Sequence, residues 1–236
     1  MTQNLKVIIL AAGRGKRLGS ETSDRPKVMR EAAGKPLLGH VISQIPDDIS
    51  KDNITIIVGY KKEAVFAAFP EYSFAVQEEQ KGTGHAVMCA EKKFEDYDGN
   101  VLILSGDMPL VSKETLVKLC DFHAKSGNAC SILSVENSNE SSFGRVIRDA
   151  GGNFKGIVEK KDCNEEQLKS TELNAGVYVF DSKLLFHYLH DIKSDNAQGE
   201  YYITDVPALL LKNGYKVDAY KIYDLEETLG VNTVED

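Results

Sequence analysis

A loop rich in glycine and in cations follows the apolar run at residues 5–10 and carries the strongest chemical signal in the chain. Its glycines let backbone N–H groups come close to a ligand, and its cations can neutralise phosphate oxygens. The cations are Arg14, Lys16, Arg17, Arg25 and Lys27. Because the chain as a whole has a formal net charge of −8, this local positive cluster predicts a polyphosphate site, such as that of a nucleoside triphosphate.

The two commonest phosphate loops do not fit this segment. A Walker loop ends in Gly-Lys-Ser/Thr, and the sequence contains no such string at the required spacing. A dinucleotide fingerprint needs two residues between its second and third glycines, whereas Gly15 and Gly19 are separated by three. A solvated, glycine-rich turn remains the alternative, but the cations and the stiff Pro26-Lys27 pair weigh against it.

A second candidate is Asp107, which follows the apolar run at residues 101–104 through Ser105 and Gly106. A carboxylate at the end of a buried strand is costly unless it faces water, a cation or a metal. Mg²⁺ on substrate phosphates commonly takes one or two protein carboxylates, so Asp107 is a candidate magnesium ligand. The alternative is that Asp107 only begins the next turn, where aspartate is common.

The segment from Gln77 to His85 forms a third candidate site. The Gln77 amide can both donate to and accept from a nucleobase edge, while Gly82 and Thr83 can pack against base and ribose. Thr83 is also expected to cap the following helix. We interpret His85 as structural or solvated, because no neighbouring residues indicate a catalytic triad or a metal-ligand set.

Three residues later in the chain form a fourth, weaker candidate site for a sugar. They are Gly144, Glu159 and Asn174, of which Glu159 and Asn174 each lie beside a strand-like apolar run. A carboxylate and an amide suit sugar hydroxyls, which need oriented donors and acceptors. Each of these residues alone is common in surface loops. Only the three together indicate a sugar site.

Apolar runs alternate with amphipathic stretches, which predicts an α/β protein with a mostly parallel sheet. The predicted strands are residues 6–10, 54–58, 74–76, 101–104, 129–135, 144–148, 154–158, 176–180 and 217–220. The predicted helices are residues 37–45, 62–69, 84–94, 113–125, 182–189 and 205–213, with Thr83 and Ser112 as caps of the third and fourth. Ligands of such sheets bind at the carboxyl ends of the strands.

The pattern predicts one domain over residues 1–236 with two functional parts. The nucleotide half comprises residues 1–137 and 201–236. Between them, at residues 138–200, short strands and turns predict a small β-rich lobe for the acceptor.

Composition excludes several other classes of protein. Acidic residues (36) exceed basic ones (28), which argues against nucleic-acid binding. No apolar run approaches the roughly 18 residues of a membrane span, and the four widely spaced cysteines indicate neither a zinc site nor a disulfide framework. These features favour a cytoplasmic location; they do not indicate an oligomeric state.

These motifs together resemble those of the sugar nucleotidyltransferase family, and more narrowly those of the uridylyltransferase domain of bifunctional N-acetylglucosamine-1-phosphate uridyltransferases. The matching strings are Leu10-Ala-Ala-Gly-Arg-Gly-Lys-Arg17, Pro26-Lys27, Gln80-Lys-Gly-Thr-Gly-His-Ala86, Ser105-Gly-Asp-Met-Pro-Leu110, Gly144-Arg145, Ile157-Val-Glu-Lys160, Leu173-Asn-Ala-Gly176, Asn196-Ala-Gln-Gly-Glu-Tyr-Tyr202 and Gly230-Val-Asn232. The resemblance implies the Rossmann-like nucleotide-diphospho-sugar transferase fold, with a mostly parallel mixed sheet flanked by helices.

The resemblance also implies roles for four sets of residues. Uracil and ribose would be held by the backbone of Leu10, Ala11, Ala12 and Gly13, together with Gln77, Gly82 and Thr83. The triphosphate and the departing pyrophosphate would be bound by Arg17 and Lys27. Mg²⁺ would be bound by Asp107 and Asn232, and the N-acetylglucosamine moiety by Gly144, Glu159 and Asn174.

The sequence departs from the family pattern in three places. Ser105 stands where relatives often have an aromatic residue, and Ala175 stands where they have threonine, so sugar specificity is left open. The resemblance ends at Asp236 without the β-helix acetyltransferase domain, so we expect no acetyl-CoA chemistry.

The resemblance implies Mg²⁺-dependent transfer of UMP from UTP to N-acetylglucosamine 1-phosphate. Another nucleotide or sugar 1-phosphate is an alternative, and a non-catalytic regulatory protein that binds sugar nucleotides is a further one. The joint presence of Arg17, Lys27, Asp107 and Asn232 favours the enzyme.

Overall fold

The computed structural model describes residues 4–13, 25–137 and 142–230. Its strands are β1 (Leu5–Ala11), β2 (Glu31–Ala32), β3 (Lys35–Pro36), β4 (Ile54–Val58), β5 (Ser73–Val76), β6 (Asn100–Ser105), β7 (Cys130–Glu136), β8 (Arg145–Arg148), β9 (Phe154–Val158), β10 (Glu172–Asp181) and β11 (Val217–Ile222). Its α-helices are α1 (Leu37–Gln44), α2 (Lys62–Ala68), α3 (Thr83–Met88), α4 (Lys113–Ser126), α5 (Ser182–Leu189) and α6 (Val206–Lys212).

The main sheet has the strand order β11-β7-β10-β6-β1-β4-β5, and the β8–β9 hairpin joins it through β10. Strand β1 is parallel to both β4 and β6, and β11 is parallel to β7. Strand β10 runs antiparallel between β6 and β7. This arrangement confirms the predicted mixed, mostly parallel sheet, and it brings the carboxyl ends of β1, β4 and β6 to one edge.

Apolar side chains cover both faces of the sheet, which explains why β1 reads as a continuous apolar run. Ile8 packs in one buried cluster with residues of α3, α5 and α6. Val7 and Ile9 point to the opposite face and pack with residues of α1, α2 and α4. The described helices therefore flank the sheet on both sides.

Two predicted features of the elements are wrong. The helix predicted over residues 84–94 ends at Met88 and is followed by a separate 3-10 turn at Glu91–Lys93. Thr83 does not cap α3 with its side chain; Gly82 occupies the N-cap, and the Thr83 hydroxyl accepts a hydrogen bond from the backbone N–H of Ile203 instead. The cap at Ser112 is confirmed, since its hydroxyl oxygen accepts from the N–H of Thr115.

Strand β10 is longer than the sequence predicts and lies inside the sheet, between β6 and β7. The prediction covered residues 176–180, whereas the strand begins at Glu172, with a register shift against β7 between Asn174 and Tyr178. The polar residues Glu172 and Asn174 obscure the strand pattern, but both side chains are buried. The Glu172 carboxylate is satisfied by Arg148 at 2.7 Å and by the hydroxyl of Ser134 at 2.8 Å.

All four cysteines are free thiols. Among the helices that the structure describes, none has the length and apolar character needed to cross a bilayer.

The buried imidazole of His123 lies at the amino ends of β6 and β7. Its Nε2 is 3.3 Å from the Asn100 side-chain oxygen, and its Nδ1 is 3.0 Å from the hydroxyl of Ser131. Burial lowers the pKa of His123 from 6.5 to about 4, although the charge of Asp181 acts in the opposite direction. The neutral ring is therefore the form that the fold accommodates.

We expect the free energy of unfolding to fall as the pH drops from about 6.5 towards 4, because the unfolded chain then binds a proton that folded His123 does not. The contribution is about 3 kcal/mol at the acid end of this window. Urea unfolding at a series of pH values measures it. The variant His123→Gln should lose this part of the pH dependence, and the exposed-site variant His187→Gln should keep it. An unchanged profile in His123→Gln would contradict the assignment.

Candidate active site

A cavity of about 640 Å³ opens at the edge where β1, β4 and β6 end. Its walls come from the end of β1, the turn after Pro26, the segment between β5 and α3, and the end of β6. The lining residues are Leu10, Ala12, Gly13, Lys27, Val28, Gln77, Glu78, Glu79, Gln80, Gly82, Thr83, Ala86, Ser105, Asp107 and Glu200. Three of the predicted motifs therefore meet in one cavity.

A glycine brings the end of β6 against the end of β1. The N–H of Gly106 donates to the carbonyl of Leu10 at 2.9 Å. A Cβ atom at position 106 would lie 3.0 Å from that carbonyl oxygen and 3.1 Å from a methyl group of Val28. The Ser-Gly-Asp string therefore has glycine at the point of close approach, which places Asp107 beside the first loop.

Lys27 and Asp107 form an ion pair on the wall of the cavity. The Lys27 Nζ donates to a carboxylate oxygen of Asp107, across 80 positions of sequence. Lys27 is 9% exposed, because it begins a 3-10 turn (Lys27–Met29) whose residues are buried, whereas the Asp107 side chain is 30% exposed. A positive and a negative group from two motifs thus face the same space.

Gln77 also lines this cavity, directly after β5, and is 3% exposed. Its amide nitrogen is 3.0 Å from the carbonyl oxygen of Gly82 and 3.0 Å from Nδ1 of His85. Gly82 has a φ of +107°, and a Cβ atom there would lie 2.5 Å from the carbonyl oxygen of Tyr201. Glycine is therefore required at position 82, both by backbone conformation and by the adjacent segment.

A second cavity of about 340 Å³ continues from the first towards β8, β9 and β10. The two cavities share four lining residues, namely Leu10, Thr83, Ser105 and Asp107. The predicted sugar residues Gly144, Glu159 and Asn174 all line the second cavity. The structure thus provides two adjoining compartments that meet at Asp107.

Glu159 is held in the second cavity by Thr204, a contact that is not predicted from the sequence. The hydroxyl of Thr204 donates to its Oε1 at 3.1 Å. Burial raises the pKa of Glu159, and the nearby carboxylates of Asp162, Asp205 and Glu200 raise it further, while the bond from Thr204 lowers it. The Glu159 carboxylate is therefore a partly desolvated acceptor that faces a cavity.

Asn174 is fixed by its neighbours on the same strand. Its amide nitrogen donates to the hydroxyl of Tyr178 at 2.8 Å, and its amide oxygen accepts from the N–H of Gly176 at 3.1 Å. Each group still has one hydrogen-bonding position left, since an amide can donate twice and accept twice. Tyr178 was not predicted, because its place in this site depends on the register shift in β10.

The remaining predicted site residues are Ala11, Arg17 and Asn232. The side chain of Ala11 is buried in the core and lines neither cavity, so the role predicted for its backbone stays a prediction. Arg17 and Asn232 lie outside the described residues, so their roles stay predictions. Glu200, which has no predicted role, also lines the first cavity.

The described donor set fits a metal ion held mainly by substrate. No group of three or more His, Cys, Asp or Glu side chains suited to a metal occurs within residues 4–13, 25–137 and 142–230. Asp107 offers one part-exposed carboxylate where the two cavities meet. One carboxylate suits Mg²⁺ when phosphate oxygens and water complete its shell.

Known proteins resemble this chain in sequence and in fold. A family model described as Nucleotidyl transferase matches residues 6–224. The chain is 45% identical over 226 residues to the bifunctional protein GlmU of Streptococcus uberis, covering 95% of this chain and 48% of that protein. It is 42% identical over 228 residues to the bifunctional protein GlmU of Clostridium botulinum, covering 96% of this chain and 49% of that protein. The chain thus spans about half the length of these curated relatives.

Two solved structures share the fold. One is described as a glucose-1-phosphate thymidylyltransferase from Bacillus anthracis in complex with a sucrose, with a TM-score of 0.74 and 24% identity over 92% of this chain and 87% of that chain. The other is a UDP-glucose pyrophosphorylase complexed with UDP-glucose, with a TM-score of 0.74 and 20% identity over 94% of this chain and 95% of that chain. At this level of identity the likeness concerns the fold alone.

Proposed function

Because this chain belongs to the nucleotidyl transferase family, we propose that it transfers UMP from UTP to N-acetylglucosamine 1-phosphate, giving UDP-N-acetylglucosamine and pyrophosphate. The observation that carries the proposal is the junction of two cavities at Asp107, with Lys27 paired to it. The cavity that contains Gln77 takes the nucleotide, and the cavity that contains Glu159 takes the sugar phosphate.

In the proposed reaction a phosphate oxygen of the acceptor attacks the α-phosphorus of UTP in line. A new P–O bond forms there, and the bond to the bridging oxygen of the β-phosphate breaks, so that pyrophosphate leaves with the electron pair. The acceptor phosphate is ionised at neutral pH, so no general base is required. Catalysis then depends on positioning and on stabilisation of charge.

Lys27 supplies a fixed positive charge where the phosphates meet, and Asp107 holds its ammonium group in place. When bound, Mg²⁺ would supply further positive charge to the phosphate oxygens, with Asp107 as its described protein ligand. Arg17 and Asn232 are proposed to complete the phosphate and metal sites. The low exposure of Lys27 limits competition from water and strengthens its interaction with phosphate.

Pyrophosphate release tests the substrate pair. A matrix of UTP, dTTP, CTP and GTP against N-acetylglucosamine, glucose and galactosamine 1-phosphates should give the highest kcat/KM for UTP with N-acetylglucosamine 1-phosphate. A higher value for another sugar would favour the alternative acceptor that Ser105 and Ala175 leave open, since both line the second cavity. Release with none of the pairs would contradict the proposal.

Replacing Glu159 with glutamine should raise the KM for the sugar phosphate about tenfold and leave the KM for UTP within about twofold. Glutamine replaces the negatively charged carboxylate of Glu159 with a neutral amide, which is a weaker acceptor for sugar hydroxyls. Glu159 lines the second cavity and not the nucleotide cavity, so binding of UTP should be little affected. Steady-state kinetics with each substrate varied in turn measures the split. Glu165→Gln, at an exposed position nearby, is the control and should change neither constant. An equal rise in both KM values would contradict the assignment of the second cavity.

A further inference from the structure

The contact between Gln77 and His85 was not predicted from the sequence. Gln77 follows β5, and His85 lies in the first turn of α3. The Gln77 amide nitrogen lies within 3.0 Å of two groups, the carbonyl oxygen of Gly82 and the Nδ1 atom of His85. Gln77 also lines the nucleotide cavity. The contacts that orient its amide therefore decide whether the amide oxygen or the amide nitrogen faces a bound base.

The orientation of this amide follows from chemistry as well as from the coordinates. A backbone carbonyl can only accept, so the group that faces Gly82 must be the amide nitrogen and not the amide oxygen. The second N–H of the same nitrogen then points to His85. It forms a hydrogen bond only if Nδ1 carries a lone pair, which requires a neutral ring with its proton on Nε2.

The surroundings of His85 favour that neutral form. Partial burial lowers the pKa of His85, and the positive charge of Lys81 lowers it further. The carboxylate and the backbone of Glu79 act in the opposite direction with smaller effect. The ring of Tyr201 lies alongside, with the two ring centres 6.5 Å apart.

The amide oxygen of Gln77 is left to the cavity. Within the part of the chain that the structure describes, this oxygen receives no hydrogen bond, and it is not among the buried polar atoms that lack a partner. An acceptor at this place matches the ring N–H of uracil or thymine. It disfavours cytosine, because the corresponding ring nitrogen of cytosine is also an acceptor and the two acceptors cannot form a hydrogen bond.

We propose that His85 is a positioning residue which, together with the Gly82 carbonyl, holds the Gln77 amide with its oxygen towards the base and so selects pyrimidines that carry a ring N–H. The inference rests on the proposed nucleotide cavity and deepens it, because it adds a residue and a reason for discrimination between UTP and CTP. His85 contacts Gln77 rather than substrate, so its effect is on selectivity.

The test is the ratio of kcat/KM for UTP to that for CTP in three proteins. Wild type should strongly prefer UTP. His85→Leu removes the acceptor, so the amide can turn more readily, and the ratio should fall by about fivefold to tenfold. His85→Asn offers a side-chain oxygen one bond beyond Cγ, near the place of Nδ1, and should keep the ratio within about threefold of wild type.

Two results would overturn the inference. One is a His85→Leu protein that loses rate or thermal stability but keeps the wild-type ratio, because that would make the role of His85 purely structural. The other is a His85→Asn protein that loses as much selectivity as His85→Leu. If wild type releases no pyrophosphate from UTP, the proposed function fails, and calorimetric binding of UTP and CTP to the same three proteins still decides the role of His85.

Discussion

Asparagine in place of Asp107 is expected to lower kcat by about a hundredfold or more while the protein stays folded. Asp107 is the described carboxylate shared by both cavities, and its partner is the Lys27 ammonium group. The amide keeps the shape of the side chain but removes the negative charge that would attract a divalent cation. It also removes the ion pair between Asp107 and Lys27.

Pyrophosphate release over a range of Mg²⁺ concentrations measures this effect, and the loss should be only partly recovered at high Mg²⁺. Thermal unfolding should show a melting temperature within a few degrees of wild type, since the Asp107 side chain is part-exposed. Asp98→Asn is the matched control, because Asp98 is an exposed carboxylate that precedes the opposite end of β6 and pairs with Lys183. A folded Asp107→Asn protein with near-normal turnover would remove Asp107 from the proposed metal site.

Methionine in place of Lys27 is expected to lower kcat by about a hundredfold, with a smaller change in the KM for UTP. The side chain keeps its length and most of its packing, but the cavity loses a nearly buried positive charge beside the phosphates. The loss should fall mainly on kcat, because the negative charge on the departing pyrophosphate grows in the transition state. Arginine at position 27 should recover part of the rate, since it restores the charge in another geometry.

Kinetics with UTP and acceptor varied separately tests this, with Lys113→Met as the control, since Lys113 pairs with Asp47 away from both cavities. The double variant with Asp107→Asn should be less impaired than the product of the single effects, because the two residues act as a pair. A raised KM for UTP with unchanged kcat would place Lys27 in ground-state binding alone.

The sequence predicts those features of the fold that depend on local pattern. The continuous apolar run of β1 correctly indicates a strand covered on both faces, and the residues after β1 and β6 line the cavity because parallel neighbours end at the same edge. The antiparallel insertion of β10 between β6 and β7 was not predicted, since periodicity does not specify which strands pair.

In the candidate site, too, the sequence indicates individual residues, whereas their contacts with distant residues appear only in the structure. Lys27 and Asp107 were each singled out by the residues around them, but their ion pair spans 80 positions and appears only in three dimensions. His85 was interpreted as structural or solvated because its neighbours in sequence offer no catalytic partner, whereas its contact with Gln77 depends on how the segment between β5 and α3 folds back. The contact of Thr204 with Glu159 is hidden for the same reason.

The most direct test of the account is the dependence of pyrophosphate release from UTP on the acceptor, measured together with the sugar nucleotide formed. With Mg²⁺ and both substrates present, we expect pyrophosphate and UDP-N-acetylglucosamine in equal amounts, and with the acceptor omitted we expect no release above background. Binding of UDP-N-acetylglucosamine without turnover, or release that proceeds equally well without the acceptor, would contradict direct transfer between the two adjoining cavities.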